Sequence, residues 1–145
     1  MDKQLSPHTR TRLITRDGKK VREMRNITIT IDHLPYAELN PNKRLHWSVR
    51  SAASKIALEE IGWLCKSQWH DDQPMMKARI SYEFLLKGNR TRDIDNLLAA
   101  CKPFTDGLID AGVIFYDDCK HLEYGLLRAV HDVKDQTTIT VEERE

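Results

Sequence analysis

Long apolar runs are missing from these 145 residues. No segment approaches the ~18 consecutive apolar residues of a membrane-spanning helix, and the N-terminus has no apolar stretch of the signal-peptide kind. A cytoplasmic protein with no membrane partner is therefore expected. Cysteine is scarce and odd in number: Cys65, Cys101 and Cys119 match neither a disulfide framework nor a zinc spacing. The first two fall on apolar faces of expected helices, which predicts buried free thiols. The six histidines are scattered, and none is expected to bind metal. Internal repeats and low-complexity segments are absent.

A net charge of either sign is nearly absent too, at +1, but that value conceals an asymmetry. Through Lys55 there are 12 Lys and Arg against 5 Asp and Glu, and from Ile56 onward 11 against 17. A basic first third offers a surface for phosphates. An acidic remainder offers ligands for a cation. For residues 1–10 alone, a solvated basic tail is the plainer expectation.

The length suits one domain with its own core. Residues 1–26 read as a basic extension, and Asp17-Gly18 between short runs signals a hairpin there. Residues 27–145 read as a single domain. Ile27, Ile29 and Ile31 alternate with threonines as a half-buried strand does. A Pro-Asn loop follows, Asn40-Pro41-Asn42-Lys43-Arg44-Leu45-His46-Trp47, where Lys43, Arg44 and His46 offer donors and Trp47 either a stacking surface or a core side chain. Ser48 is the expected cap of a helix over 49–68, with Ala53, Ala57, Ile61 and Leu64 inward, Ile56 and Cys65 beside them, and Arg50 and Lys55 outside near the loop. Gly62 weakens that helix by about 1 kcal/mol relative to alanine.

Residues 78–86 alternate as a strand. The sequence 94–111 then has Ile94, Leu97, Cys101, Phe104, Leu108 and Ala111 on one helical face, with a kink or break at Pro103 and a stop at Gly112. A short strand over 113–116 and strands over 121–130 and 137–142 follow; Leu122, Tyr124 and Leu126 share a face of the first of these two, and Glu123 lies opposite. Together these elements predict an α+β domain: a mixed or largely antiparallel sheet of four to five strands with two helices on one face. The open face or edge of that sheet would be free for a second copy.

The chemistry concentrates between the strand and that second helix. Asp93 and Asp95, one residue apart after a basic turn, make a compact hard-oxygen site of the kind magnesium prefers, with one or two carboxylates and the remaining positions for water and phosphate. The Asp95-Asn96 pair at the helix entry suits a helix cap as well. A second acidic pair, Asp117-Asp118, falls at the end of the expected short strand. Lys102 lies roughly 10 Å along the helix axis from Asp95, either reaching toward a held phosphate or solvated.

The segments Arg92-Asp93-Ile94-Asp95-Asn96-Leu97, Asp106-Gly107-Leu108, Ala111-Gly112-Val113 and Asp117-Asp118 resemble, in order and spacing, the signature of RusA-family Holliday junction resolvases. The likeness is close over about a third of the chain and extends loosely from Asn40 to the C-terminus. It implies a RusA-like fold and a small homodimeric, magnesium-dependent endodeoxyribonuclease of bacterial or phage origin, with manganese able to substitute. Such an enzyme resolves branched DNA, the Holliday junction, by symmetric phosphodiester hydrolysis in recombination and repair. It implies Asp93, Asp95 and Asp118 as metal ligands and catalytic residues, with Lys102 joining them. The family often carries a lysine one turn after its second aspartate, where this chain has Ala99. Lys43, Arg44, His46, Arg50, Arg90, Arg92 and Lys120 are the expected DNA-binding residues. The alternative is a non-catalytic branched-DNA-binding module of the same fold. Haloacid-dehalogenase-like phosphotransfer enzymes also use Asp-x-Asp, but their hydrophobic strand runs directly into the first aspartate, and here Gly88-Asn89-Arg90-Thr91-Arg92 intervenes.

Overall fold

The computed structural model describes the backbone of residues 13–16 and 19–22 and the full residues 24–145. Residues 1–12 and the Asp17-Gly18 turn lie outside the described residues, as does the expected solvated tail. β1 (Leu13–Arg16) and β2 (Lys19–Arg22) pair antiparallel, Leu13 opposite Arg22, as the hairpin signal predicts.

The main sheet is mixed and four-stranded, in the order β3-β6-β4-β5. β3 (Asn26–Ile31) pairs antiparallel with β6 (Gln136–Glu143), β6 antiparallel with β4 (Ala78–Lys87), and β4 parallel with β5 (Leu122–Asp132). Alternation drives each strand. Ile27, Ile29 and Ile31, then Ala78, Ile80, Tyr82, Phe84 and Leu86, then Thr137, Ile139 and Val141 all bury on one face. Across β4 and β5 the other face is polar: Arg79 pairs with Glu123 at 3.2 Å and Arg128 with Glu83 at 2.6 Å.

The buried face is covered by α1 (Trp47–Lys66), which carries Ala53, Ala57, Ile61 and Cys65 inward at four-residue spacing. Beside it packs the second helical segment. The break expected at Pro103 occurs, leaving α2 (Ile94–Ala100) and α3 (Lys102–Asp110), with Pro103 in the first turn of α3 where its missing N–H costs nothing. α3 approaches α1 closely at Gly107, where an added Cβ would stand 2.8 Å from the Ile61 Cβ. It ends at Gly112 (φ 75°). There Gly112 N–H donates to Ile109 O and Val113 N–H to Leu108 O, both at 3.0 Å, with Val113 and Leu108 wholly buried. This is the two-bond left-handed stop that a glycine permits.

Several expectations need correction. Ile56 is 55% exposed, because Ala53 and Ala57 already fill the inward stripe. His46, whose Nδ1 accepts from Ser48 N at 3.2 Å, caps α1 in place of Ser48. Residues 113–116 form no strand. They make one parallel bridge, Met75 with Ile114, and the ladder does not extend toward Gln73 because Val113 N–H is already given to Leu108 O at the helix stop. In β5 the register shifts by one residue after Tyr124, so Leu127 and Ala129 turn toward the core and Leu126 is 55% exposed. Ile94, expected inward, is 37% exposed at the first position of α2.

One buried cation joins distant parts of the chain. Arg25, 1% exposed, bonds Glu143 near the C-terminus, Asp71 at 2.9 Å, and the Pro74 carbonyl at 3.2 Å, with its guanidinium 5.1 Å from the Trp69 ring. Burial works to lower its pKa, but Glu143 and Asp71 outweigh burial and leave it raised. Among the described residues no helix is long and apolar enough to cross a membrane.

Candidate active site

Asp93 ends the turn after β4 and caps α2, its Oδ1 accepting from Asp95 N at 3.0 Å. That cap fixes Asp95 in the first turn of α2. From there Asp95 lines a cavity of about 440 Å³ lying over β4 and β5, together with Tyr82, Leu98, Ala99, Lys102, Thr105, Asp117 and Tyr124. Leu98, Ala99, Lys102 and Thr105 come from one side of α2 and α3. Tyr82 and Tyr124 come up from the sheet. Tyr82 is buried, its hydroxyl 2.7 Å from Thr105 Oγ1, and burial first, then the neighbouring Cys101, raises its pKa well above the ordinary phenol value.

Lys102 bridges two carboxylates, Asp106 Oδ1 at 2.9 Å and Asp117 Oδ2. Those two hydrogen bonds, Asp117 first, hold its pKa above the ordinary lysine value. The ammonium therefore serves as a fixed cation and not as a proton acceptor at neutral pH. The Lys102 side chain is 61% exposed yet held at the cavity by these two carboxylates.

The acidic pair divides its work. Asp117 faces the cavity. Asp118 folds back, its Oδ1 accepting from Lys120 N at 3.0 Å and meeting His121 Nδ1 at 2.6 Å, and chiefly the His121 hydrogen bond holds its carboxyl below the usual range. Thus Asp95, Asp117 and Lys102 come together, whereas Asp93 and Asp118 each make turn or cap bonds beside them. Among the described residues no three His, Cys, Asp or Glu side chains form a metal-holding group. The donors at the cavity are two carboxylates, which matches the one or two that magnesium takes when water and phosphate fill its other positions.

The expected DNA-binding residues are dispersed. Arg90 is bound to Asp135 and, through Nε at 3.3 Å, to the Lys87 carbonyl, tying the motif turn to the β5–β6 turn. Arg50 donates to the carbonyls of Asn40, at 3.0 Å, and Lys43, so it braces the Pro-Asn loop. His46 is committed through Nδ1 to Ser48. The side chains of Lys43, Arg44, Arg92 and Lys120 have no ion pair among the described residues; Lys120 lines a separate cavity with Lys77, His121 and Arg144 at the start of β5. Cys65 and Cys101 are buried as expected, burial pushing the Cys65 thiol up to about 12, and Cys119 is exposed.

Sequence reasoning favoured Asp118 over Asp117 and passed over Tyr82, Thr105 and Tyr124. A signal for the first was present: Asp118-Cys119-Lys120-His121 has the spacing of an aspartate-led turn, which occupies its first residue and leaves Asp117 outside the turn. The tyrosines gave no comparable signal, because their place at the cavity depends on the sheet register.

Compared with known protein families, the chain matched none. It is similar to an uncharacterized protein of Xylella fastidiosa (strain Temecula1 / ATCC 700964), 28% identical over 124 residues, spanning 83% of this chain and 78% of that protein.

Proposed function

We propose that this chain is a magnesium-dependent, structure-specific endodeoxyribonuclease of the RusA kind, which resolves Holliday junctions by symmetric hydrolysis of phosphodiester bonds. One observation carries the reading: Asp95 and Asp117, 22 residues apart, line a single cavity together with Lys102. The ordered likeness from Arg92 to Asp118 supports it. Asp95 and Asp117 would hold the ion, with Asp93 and Asp118 as the carboxylates beside them. When bound, magnesium supplies a Lewis acid for the phosphate and an activated water.

The chain's own residues do the rest. Lys102, kept protonated by Asp117 and Asp106, presents positive charge to an entering phosphate. Ala99 leaves the wall beside it open, and the Tyr82–Thr105 pair forms a polar floor that needs no further partner. Arg92, Lys43 and Arg44 offer cations to the flanking strands. Because a four-way junction is cut at two symmetric points, a C2 homodimer with two identical sites suits it. β5, at the sheet edge with Leu126 and Tyr124 more than half exposed, is a surface on which a second copy can pair.

A second reading, a non-catalytic branched-DNA-binding module, draws on the Lys102–Asp117 ion pair and on the absence of a three-member ligand group among the described residues. Incubating a synthetic four-way junction with the protein separates the two. The nuclease reading expects paired, symmetric nicks with magnesium or manganese and none in excess chelator. Binding without cleavage in either metal selects the module, and cleavage undiminished by chelator rejects the metal assignment.

A further inference from the structure

A second cleft adjoins the candidate active site. It lies between α1 and α3, has a volume of about 510 Å³, and is lined by Leu39, Arg50, Ser54, Lys55, Leu58, Glu59, Ala99, Lys102, Pro103 and Asp106. Ala99 and Lys102 line both hollows. The two hollows are neighbours across Ala99 and Lys102, and Lys102 reaches Asp106 on the side of the cleft and Asp117 on the side of the first cavity.

The walls of this cleft are of two kinds. Leu39, Leu58 and Pro103 make an apolar floor, while Arg50, Lys55 and Lys102 carry three positive charges against the two carboxylates of Glu59 and Asp106. Asp106 is already paired with Lys102. Arg50 reaches from the cleft to the carbonyls of Asn40 and Lys43, which fixes the loop bearing Lys43 and Arg44 at the rim. Lys55 is exposed and has no ion pair among the described residues. An apolar floor beneath an excess of positive charge matches a nucleotide, whose base has flat apolar faces and whose phosphate is anionic.

We propose that this cleft is a second strand-binding subsite, which takes the nucleotide adjoining the scissile phosphate, with Lys55 bound to its phosphate and Leu39, Leu58 and Pro103 against its sugar and base. The proposal rests on the nuclease reading and extends it, giving Lys55 a role and making Arg50 a positioning residue that acts through the loop. The occupant is a DNA strand that also enters the first cavity, because Ala99 and Lys102 line both hollows and the cations of the cleft outnumber its carboxylates.

The test is junction binding in chelator, where cleavage does not intervene, measured by fluorescence anisotropy across a salt series for the wild type, Lys55→Ala, Lys55→Glu and Lys66→Ala. Lys66 lies at the far end of α1 over the Trp63 ring, outside the cleft, and serves as the control. Both lysines are on the exposed face of the helix, and unchanged circular dichroism and melting establish that the variants fold. Each lost phosphate contact reduces the slope of log affinity against log salt by about 0.9, which is roughly a fivefold loss of affinity at about 0.15 M salt. Lys55→Ala is expected to show that loss, Lys55→Glu a larger one, and Lys66→Ala neither. Wild-type slope and affinity in both Lys55 variants would overturn the subsite and leave the nuclease reading intact. A wild-type protein that neither binds nor cleaves the junction would overturn both.

Discussion

At His33 the structure joins a titratable side chain to a partner from another element. Its Nε2 stands 2.9 Å from both Glu60 oxygens, its Nδ1 2.7 Å from the Leu34 carbonyl, and its ring stacks on Tyr36 at 4.7 Å. Burial works to lower its pKa, but the Glu60 hydrogen bond, the Leu34 carbonyl and the charges of Glu60 and Asp32 outweigh burial and leave it above the ordinary 6.5. A pKa raised on folding stabilises fully below the unfolded value and loses that contribution as pH rises through the folded value. Wild type should therefore melt above His33→Gln by the widest margin at about pH 6, with the gap closing by about pH 9. A gap that stays constant across this range, followed by thermal melting, would contradict the ion pair. No pattern in the sequence marks this contact, since His33 and Glu60 meet only when α1 lies across β3. A cap at the entry to α2, by contrast, was legible because capping is local, although the pattern pointed to Asp95-Asn96 and the capping carboxylate is that of Asp93, two residues earlier.

On the scale of elements, two glycines separate helix propensity from packing. A Cβ at Gly62 would meet nothing within 4 Å, so this residue only loosens α1. Gly62→Ala should raise stability by up to about 1 kcal/mol. At Gly107 a Cβ would lie 2.8 Å from Ile61 Cβ and 3.0 Å from Leu58 O, and Gly107→Ala should cost about 1–3 kcal/mol by forcing α1 and α3 apart. Urea denaturation of both variants checks the contrast, and equal effects would refute the close approach at Gly107. Sequence patterning identified α1, the break at Pro103, the stop at Gly112 and strands β3, β4 and β6, since each follows a local period or a backbone constraint. It misplaced Leu126 because a register shift is set by the neighbouring strand. Gly125 marks the shift: a Cβ there would stand 2.5 Å from Ser81 Oγ, and Ser81 Oγ accepts from Leu126 N at 3.0 Å. A lone glycine in an alternating run is the one trace such a bulge leaves in sequence.

Across the whole molecule, Arg25 fastens the start of β3 to the end of β6 and to the connection between α1 and β4. Arg25→Ala would remove a buried cation bonded to both Glu143 and Asp71 and should cost about 3–5 kcal/mol, read as a lowered denaturation midpoint. A loss within about 0.5 kcal/mol, ordinary for a surface site, would show that the cluster is not coupled to folding. The charge asymmetry between the first third and the rest was visible from composition. Its spatial meaning was not: Arg50 and Lys55 line a cleft with Lys102 and Asp106 only because α1 lies alongside α3.

The proposed function puts the cutting of branched DNA at Asp95 and Asp117, with Lys102 beside them at the start of α3. Single-turnover cleavage of a synthetic four-way junction by Asp95→Asn, Asp117→Asn and Asp118→Asn tests it most directly. The first two variants should lose at least about two orders of magnitude in rate while still binding the junction, and Asp118→Asn should lose less, since its carboxylate serves the turn to His121. Cleavage at the wild-type rate by both Asp95→Asn and Asp117→Asn would contradict the account.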